Sequence, residues 1–453
     1  MNDTICAPAT ALGGALGVIR VSGPAALTAV STICSVDCAS ALANTIRYAH
    51  IIQGSEVVDE VMVSIFRAPH SYTGEDSIEI SCHGSRYILN KVLELLIQNG
   101  CRMARPGEFT QRAYLNGKLD LSQAEAVADL IASTNKATHQ LAMSQLRGGI
   151  SSELAILRER LLKMTTLLEL ELDFSDHEDL EFADRTELLE LANKIDKHIA
   201  RLALSFEKGQ ALKNGIPVAI VGKTNVGKST LLNCLLKDER AIVSDVHGTT
   251  RDTIEDTIDI QGVTFRFIDT AGIRQTTDQV EQIGIQRTYQ AMEKARIVLW
   301  LIDQQPTSSE VQEILDKVGD KYLIVIQNKI DENKDVIIEP SVFSHISNCS
   351  FISISAKHRL HIGQLEQAIY NAANLPSFAD SDVIITNARH YEALTRAQSG
   401  IRQVIGNMQQ QLSGDLLAED LRGIIDILSE ITGGQITPNE VLGNIFRNFC
   451  VGK

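Results

Sequence analysis

The residues Gly222-Lys223-Thr224-Asn225-Val226-Gly227-Lys228-Ser229 carry the chemistry most open to reading in this chain. Glycines let backbone N–H groups wrap a phosphate at a helix start, and Asn225, Val226, Gly227 and Thr230 complete the cradle. Lys228 brings an ammonium to the β- and γ-phosphates, and the Ser229 hydroxyl is a Mg²⁺ ligand. Asp269-Thr270-Ala271-Gly272 offers a carboxylate that reaches Mg²⁺ through water and a glycine N–H for the γ-phosphate. Asn328-Lys329-Ile330-Asp331 offers another carboxylate. Accepting from guanine N1–H and the exocyclic amine, Asp331 selects against adenine, because a buried acceptor left unpaired costs about 1–3 kcal/mol. Ser355-Ala356-Lys357 supports the base from its far side. Each fragment alone is an ordinary polar turn. In this order, each after an apolar run, they predict a GTP site.

Between the first two motifs lies Ser244-Asp245-Val246-His247-Gly248-Thr249-Thr250, in which Thr250 is placed to complete the Mg²⁺ shell. Many switch GTPases follow Asp-x-x-Gly with a glutamine that orients water. Here the position holds Ile273, so other groups must position water and offset the developing charge. The Asn225 amide oxygen and the carbonyls of Ser244 and Val246 could coordinate K⁺; Arg251 or Arg274 is the rival source of charge. Glu281 could reach water indirectly, although its spacing alone reads as a solvated helix residue.

These residues need a frame. The run Pro217–Val221 reads as the strand before the phosphate loop. Thr264–Ile268, Val298–Ile302, Tyr322–Ile326 and Phe351–Ile354 read as further strands, alternating with helix signals, which implies a largely parallel sheet. Upstream, Gly17–Val21, Glu60–Phe66 and Ile78–Ile80 read as short strands around a helix, Tyr87–Gln98. Two stretches are helical in pattern. One carries Leu154, Leu157, Leu161, Leu162, Met164, Leu167 and Leu168; the other Leu394, Ile401, Val404, Ile405, Leu416, Leu421, Ile424, Ile425 and Leu428. The expectation is a multidomain α+β and α/β protein. Its parts are an α+β domain over 1–118, a helical bundle over 119–213 and 377–453, and a Ras-like P-loop domain inserted at 214–376.

Composition sets bounds. A formal net charge of -15 argues against gripping nucleic acid by bulk electrostatics; RNA would need a local patch or a basic partner. The 8 cysteines are scattered without zinc-site spacing and read as reduced thiols. No apolar run reaches spanning length, and Met1-Asn2-Asp3-Thr4-Ile5 does not open a signal peptide. No membrane association and a cytoplasmic location are therefore expected.

Outside the nucleotide motifs the chain resembles the MnmE (TrmE) family of tRNA-modification GTPases over its whole length. The resemblance rests on Gly17–Gly23, on Ser71-Tyr72-Thr73-Gly74-Glu75-Asp76-Ser77-Ile78-Glu79, on Ala104–Thr110 running into Asn116–Leu121, and on Ile445–Lys453. It implies a homodimer working with an FAD-dependent partner, MnmG, in a heterotetramer or larger complex. The product would be an aminomethyl or carboxymethylaminomethyl group on carbon 5 of the wobble uridine of certain tRNAs. It further implies K⁺-stimulated GTP hydrolysis and a folate one-carbon donor, 5,10-methylenetetrahydrofolate, with 5-formyltetrahydrofolate as an analogue. By position, Asn225, Ser244, Val246 and Thr249 match the K⁺ site and Glu281 the water-orienting carboxylate. The folate site carries over as Arg20, Glu79, Lys118 and Lys453, which without the family read as ordinary charges or salt-bridge members. Cys450 matches a cysteine with a functional, catalytic role in the family; packing or tail docking is its equal alternative, and Gly452 and Lys453 do not suit prenylation. Ser85, Val451 and Ser244 depart from the family pattern without disturbing these roles.

Overall fold

The computed structural model describes residues 3–173, 185–237, 256–268, 289–332, 338, 343, 346, 348–375, 383–434, 446 and 452. The chain divides into two compact units: Met1–Ala132, Ala142–Ala203 and Arg389–Lys453 form the first, and Ser133–Leu141 with Leu204–Ala388 the second.

In the first unit, six strands form one sheet: β1 (Thr4–Pro8), β2 (Leu16–Ser22), β3 (Thr45–Gln53), β4 (Glu56–Phe66), β5 (Ser77–His83) and β6 (Cys101–Met103), in the order β3-β4-β5-β2-β1-β6. Neighbours are antiparallel except β1 and β6. Side chains alternate between faces of a strand. Ile19, Val21, Val63, Ile65, Ile78 and Ile80 therefore share a buried face, packed with helices Ala26–Ile33 and Arg86–Gln98. The same alternation puts Arg20 and its register partner Glu79 on the opposite face. Arg112, 1% exposed, fastens the N-terminal segment by reaching Asp3 at 2.8 Å, Glu75 at 3.1 Å and Glu108 at 3.3 Å.

Helix Gly149–Asp173 packs along helix Gly414–Thr432 in this unit. Leu154, Leu157, Leu161, Met164 and Leu168 are buried from one, and Leu417, Leu421, Ile424, Leu428 and Ile431 from the other. Leu162 and Leu416, part of the same apolar pattern in the sequence, are instead exposed at 38% and 47%. Each adjoins a core residue, and one step along a helix swings a side chain by about 100°.

The second unit holds β7 (Ile216–Gly222), β8 (Asp256–Ile260), β9 (Val263–Phe267), β10 (Ile297–Ile302), β11 (Tyr322–Gln327) and β12 (Cys349–Ser353), ordered β12-β11-β10-β7-β9-β8. All pairs are parallel except the β8–β9 hairpin, whose outer strand the sequence reading missed. Such a sheet is covered on both sides, which is why β10 reads as an unbroken apolar run. Ile220, Leu299 and Ile324 pack in one core cluster, and Ala219, Val298 and Val325 in the other. The parallel strands end at one edge of the sheet. That edge receives the loops after β7, β10, β11 and β12. Among the described residues, no helix is long and apolar enough to cross a membrane.

Candidate functional site

The loop after β7 runs straight into helix Lys228–Lys237, so the N–H groups that open the helix converge on it. Two glycines permit its shape. A Cβ on Gly222, at φ +149°, would stand 2.5 Å from the Leu301 carbonyl oxygen of neighbouring β10. One on Gly227, at φ +105°, would stand 2.3 Å from Asn328 Nδ2. Asn225 also adopts a left-handed φ of 64°, and the Val226 side chain is buried beneath the loop. Lys228 Nζ donates to the carbonyls of Gly222 and Lys223, both at 2.7 Å. An ammonium has three donors, so one remains for a phosphate oxygen. Burial holds the Lys228 pKa below the usual lysine range. Ser229 and Thr230 head the helix.

Asn328 ties three segments together. Its Nδ2 donates to the Val226 carbonyl at 2.9 Å, its Oδ1 accepts from the Ala356 N–H at 3.0 Å, and its own N–H reaches the Ile302 carbonyl at 2.8 Å. The phosphate loop, the Asn-Lys-Ile-Asp turn and the Ser-Ala-Lys turn are thus held in one register. Lys329, at φ 63°, pairs with Asp303 at 2.8 Å, and the Ile330 N–H reaches the Ile354 carbonyl at 3.4 Å. The Ser355 hydroxyl beside Asp331 holds its carboxyl below the usual range. His358 Nε2 lies 3.3 Å from Asp331 Oδ2, while Oδ1 is buried and, among the described residues, has no hydrogen-bond partner. A buried acceptor oxygen with no donor among the described residues can take one from a ligand or a water. Guanine's N1–H and amine are donors of the kind such an acceptor could take, and the glycine cradle has the shape to fit a phosphate. Lys357 turns outward to Glu332 at 3.2 Å.

Sequence reasoning found these motifs but missed Asp303, an isolated acid after β10 whose pairing with Lys329 has no local signal. Ser244, Asp245, Val246, His247, Gly248, Thr249, Thr250, Arg251, Asp269, Thr270, Ala271, Gly272, Ile273, Arg274, Glu281, Cys450 and Lys453 lie outside the described residues.

A second constellation sits on the other face of the first unit's sheet, where Ile5, Ala7 and Phe109 are buried. Arg20 Nε and Nη2 both donate to Glu79 Oε1, at 2.9 and 2.7 Å. The guanidinium lies 5.2 Å from the Tyr72 ring centre and 5.7 Å from that of Phe109, within cation–π range. Its Nη1 donates to the Gly452 carbonyl at 3.4 Å, which brings the chain's C-terminal end to β2. A Cβ on Gly452, at φ +95°, would meet the Pro8 carbonyl oxygen at 2.0 Å. Lys118 Nζ donates to the Pro69 carbonyl at 3.0 Å, on the segment that also carries Tyr72.

Residues 121–450 match a family model described as the MnmE helical domain, and residues 4–118 match one described as the GTP-binding protein TrmE N-terminus. A tRNA modification GTPase MnmE of Bacteroides fragilis is 55% identical over 465 residues, covering 100% of both chains. That of Bacteroides thetaiotaomicron is 54% identical over 466 residues with the same coverage, and that of Flavobacterium johnsoniae 48% over 469 residues, covering 100% of this chain and 99% of its own. The solved G domain of the T. maritima FeoB iron transporter covers 35% of this chain at 21% identity and a TM-score of 0.26, a likeness too slight to argue from.

Proposed function

Since the chain belongs to the MnmE (TrmE) family of tRNA-modification GTPases, it is a GTP hydrolase, and we propose that it acts with an FAD-dependent MnmG partner on the wobble uridine of certain tRNAs. The product is an aminomethyl or carboxymethylaminomethyl group on carbon 5. The observation that carries the guanine chemistry is the buried Oδ1 of Asp331, without a partner among the described residues, on a turn that Asn328 holds in register with the phosphate loop.

The residues divide the work. Gly222–Ser229 bind the phosphates through backbone N–H groups, and Lys228 spends its remaining donor on a phosphate oxygen. Ser229 and Thr250 would hold Mg²⁺, which neutralises charge on the β- and γ-phosphates. Asn225, Ser244, Val246 and Thr249 would hold K⁺, Asp269 and Gly272 would meet the Mg²⁺ water and γ-phosphate, and Glu281 would orient the attacking water. The lack of a glutamine at Ile273 supports this division. Arg20, Glu79, Lys118 and Lys453 would bind the folate donor, methylenetetrahydrofolate. Glu79 uses one oxygen on Arg20, which leaves Oε2 for a pterin's donor edge. Cys450 is a candidate nucleophile. In this reading, residues 1–118 bind folate and pair two copies in a homodimer, 119–213 and 377–453 form the helical frame, and 214–376 is the GTPase. Its location would be cytoplasmic.

The test is to delete the gene and compare wobble-uridine nucleosides by mass spectrometry. Loss of the modified nucleoside, restored by the wild-type gene, is expected; an unchanged profile in a strain without a redundant pathway contradicts the reading. GTP turnover in K⁺ against Na⁺ tests the cation, and equal rates remove it.

A further inference from the structure

Among the described residues of the first unit, a cleft of about 440 Å³ opens between helices Gly149–Asp173 and Arg185–Asn214. Glu153, Ile156, Arg160, Lys197, His198 and Arg201 line it. Spacings of four, as in Ile156–Arg160 and Lys197–Arg201, put such residues on one helix face. Three fixed cations meet one carboxylate here, in a chain of net charge -15.

The carboxylate is already committed. Glu153 Oε2 accepts from His198 Nε2 and from Arg201 Nη2, the latter at 3.2 Å. Arg160 Nη1 lies 3.3 Å from His198 Nδ1. A guanidinium only donates, so Nδ1 is the bare ring nitrogen and the proton sits on Nε2. His198, its side chain 9% exposed, therefore stands between Glu153 and Arg160 and aims the guanidinium without cancelling its charge. Asp196, next to Lys197 in the chain, is drawn off by Arg402 at 3.0 Å. The cleft keeps a surplus of positive charge, with two guanidinium forks and an ammonium at its mouth.

We propose that this cleft binds the phosphodiester backbone of tRNA. The inference rests on the proposed role in tRNA modification and adds a place where the substrate is held. Guanidinium forks match pairs of phosphate oxygens, and a local basic site is what an acidic chain needs to approach a polyanion. Contacts of this kind position RNA without reading its sequence.

The test uses the full-length chain with labelled, unmodified tRNA, titrated with NaCl at constant K⁺. The double variant K197A/R201A removes two phosphate contacts. Affinity at low salt should fall roughly tenfold, and the slope of log affinity against log salt should become shallower by about 1.5. GTP turnover should stay at the wild-type value, because neither residue lies at the nucleotide site. The charge-keeping variant K197R should retain the slope. If the double variant does not fold, K197A alone should lower the slope by about half as much. A variant slope equal to wild type, or a wild-type affinity indifferent to salt, overturns the proposal. So does a variant that loses modification while keeping the slope, which would assign the cleft to an acidic protein surface. Restoration of the nucleoside by the wild-type gene tests the parent reading separately: restoration with an unchanged variant slope sinks the cleft alone.

Discussion

The second unit gathers its chemistry at one edge of a mostly parallel sheet; the first gathers it on one face of a mostly antiparallel sheet. At the edge, each strand delivers a short loop, so Gly222–Ser229, Asn328–Asp331 and Ser355–Lys357 are each contiguous in sequence. On the face, Arg20 and Glu79 arrive from different strands, Tyr72 and Phe109 from two further segments, and Gly452 from near the end of the chain. The two carboxylates differ accordingly. Asp331 keeps a buried oxygen without a partner among the described residues, while Glu79 has already given one to an arginine. A buried carboxylate oxygen with no donor among the described residues points to a ligand more strongly than one already shared with an arginine.

The largest effect expected is from Gly227→Ala. The new Cβ at φ +105° would displace Asn328 and uncouple the phosphate loop from the base-binding turns. Backbone strain of about 1–3 kcal/mol, with a broken buried hydrogen bond of similar cost, should lower GTP affinity by roughly a hundredfold or more. Calorimetric titration measures this, and a Gly227→Ala protein that binds GTP like wild type would remove the clamp from the account.

Asp331→Asn comes next. Replacing the acceptor by an amide should cost GTP roughly ten- to hundredfold in affinity and favour xanthosine triphosphate, which has a carbonyl where guanine has its amine. Competition binding with the two nucleotides is the check. If the variant and wild type rank them alike, Asp331 does not read the base.

The units should also part in their response to pH. Asp3 is held below its ordinary 3.8, chiefly by a hydrogen bond from Arg102. For Glu108, burial raises the pKa, but Arg102 and the Arg105 N–H outweigh it and the net shift from 4.5 is downward. For carboxyls with depressed folded values, the stabilisation is complete above the unfolded values. It is lost as pH falls through the folded ones. The first unit should therefore lose stability below about pH 4, and Arg102→Ala should move that loss to higher pH in circular dichroism. The phosphate loop should fade at the opposite end of the scale. Burial lowers the Lys228 pKa from 10.5, so its charge, and GTP affinity with it, should decline at lower pH than an ordinary lysine allows. An alkaline limit at the ordinary lysine value would contradict this.

Arg20→Ala should do least to stability. The pair is part-exposed, with side chains 17% and 31% accessible, so its loss should cost about 1 kcal/mol or less. Thermal unfolding should shift by only a few degrees, whereas binding of 5-formyltetrahydrofolate should be lost. A stability loss with folate binding intact would make the pair structural.

The contrast also governs what the sequence made legible. The described part of the nucleotide site was readable because its motifs each follow a strand end, and because Gly222 and Gly227 answer to steric needs that few other residues meet. Strand β10 was readable because a strand buried on both faces must be apolar throughout. The edge strand β8 escaped, since Asp256-Thr257-Ile258-Asp259-Ile260 alternates weakly and buries only two side chains. β3 escaped as well, because Ile46, Arg47 and Tyr48 are all exposed. Arg20 and Glu79 were found only through resemblance to a family. Nothing local marks two residues that meet by sheet register. The basic cleft is harder still, joining positions 153 and 160 to 197 and 201 across two helices.

The central claim is that Asp331 reads guanine for a phosphate loop held in register by Asn328. Direct binding of GTP, ITP and ATP to the wild-type chain tests it most plainly, because ITP lacks only the exocyclic amine and ATP lacks both donors. GTP should bind tightest, ITP roughly tenfold more weakly, and ATP weakest of the three by a further order of magnitude. Comparable affinity for ATP and GTP would contradict it.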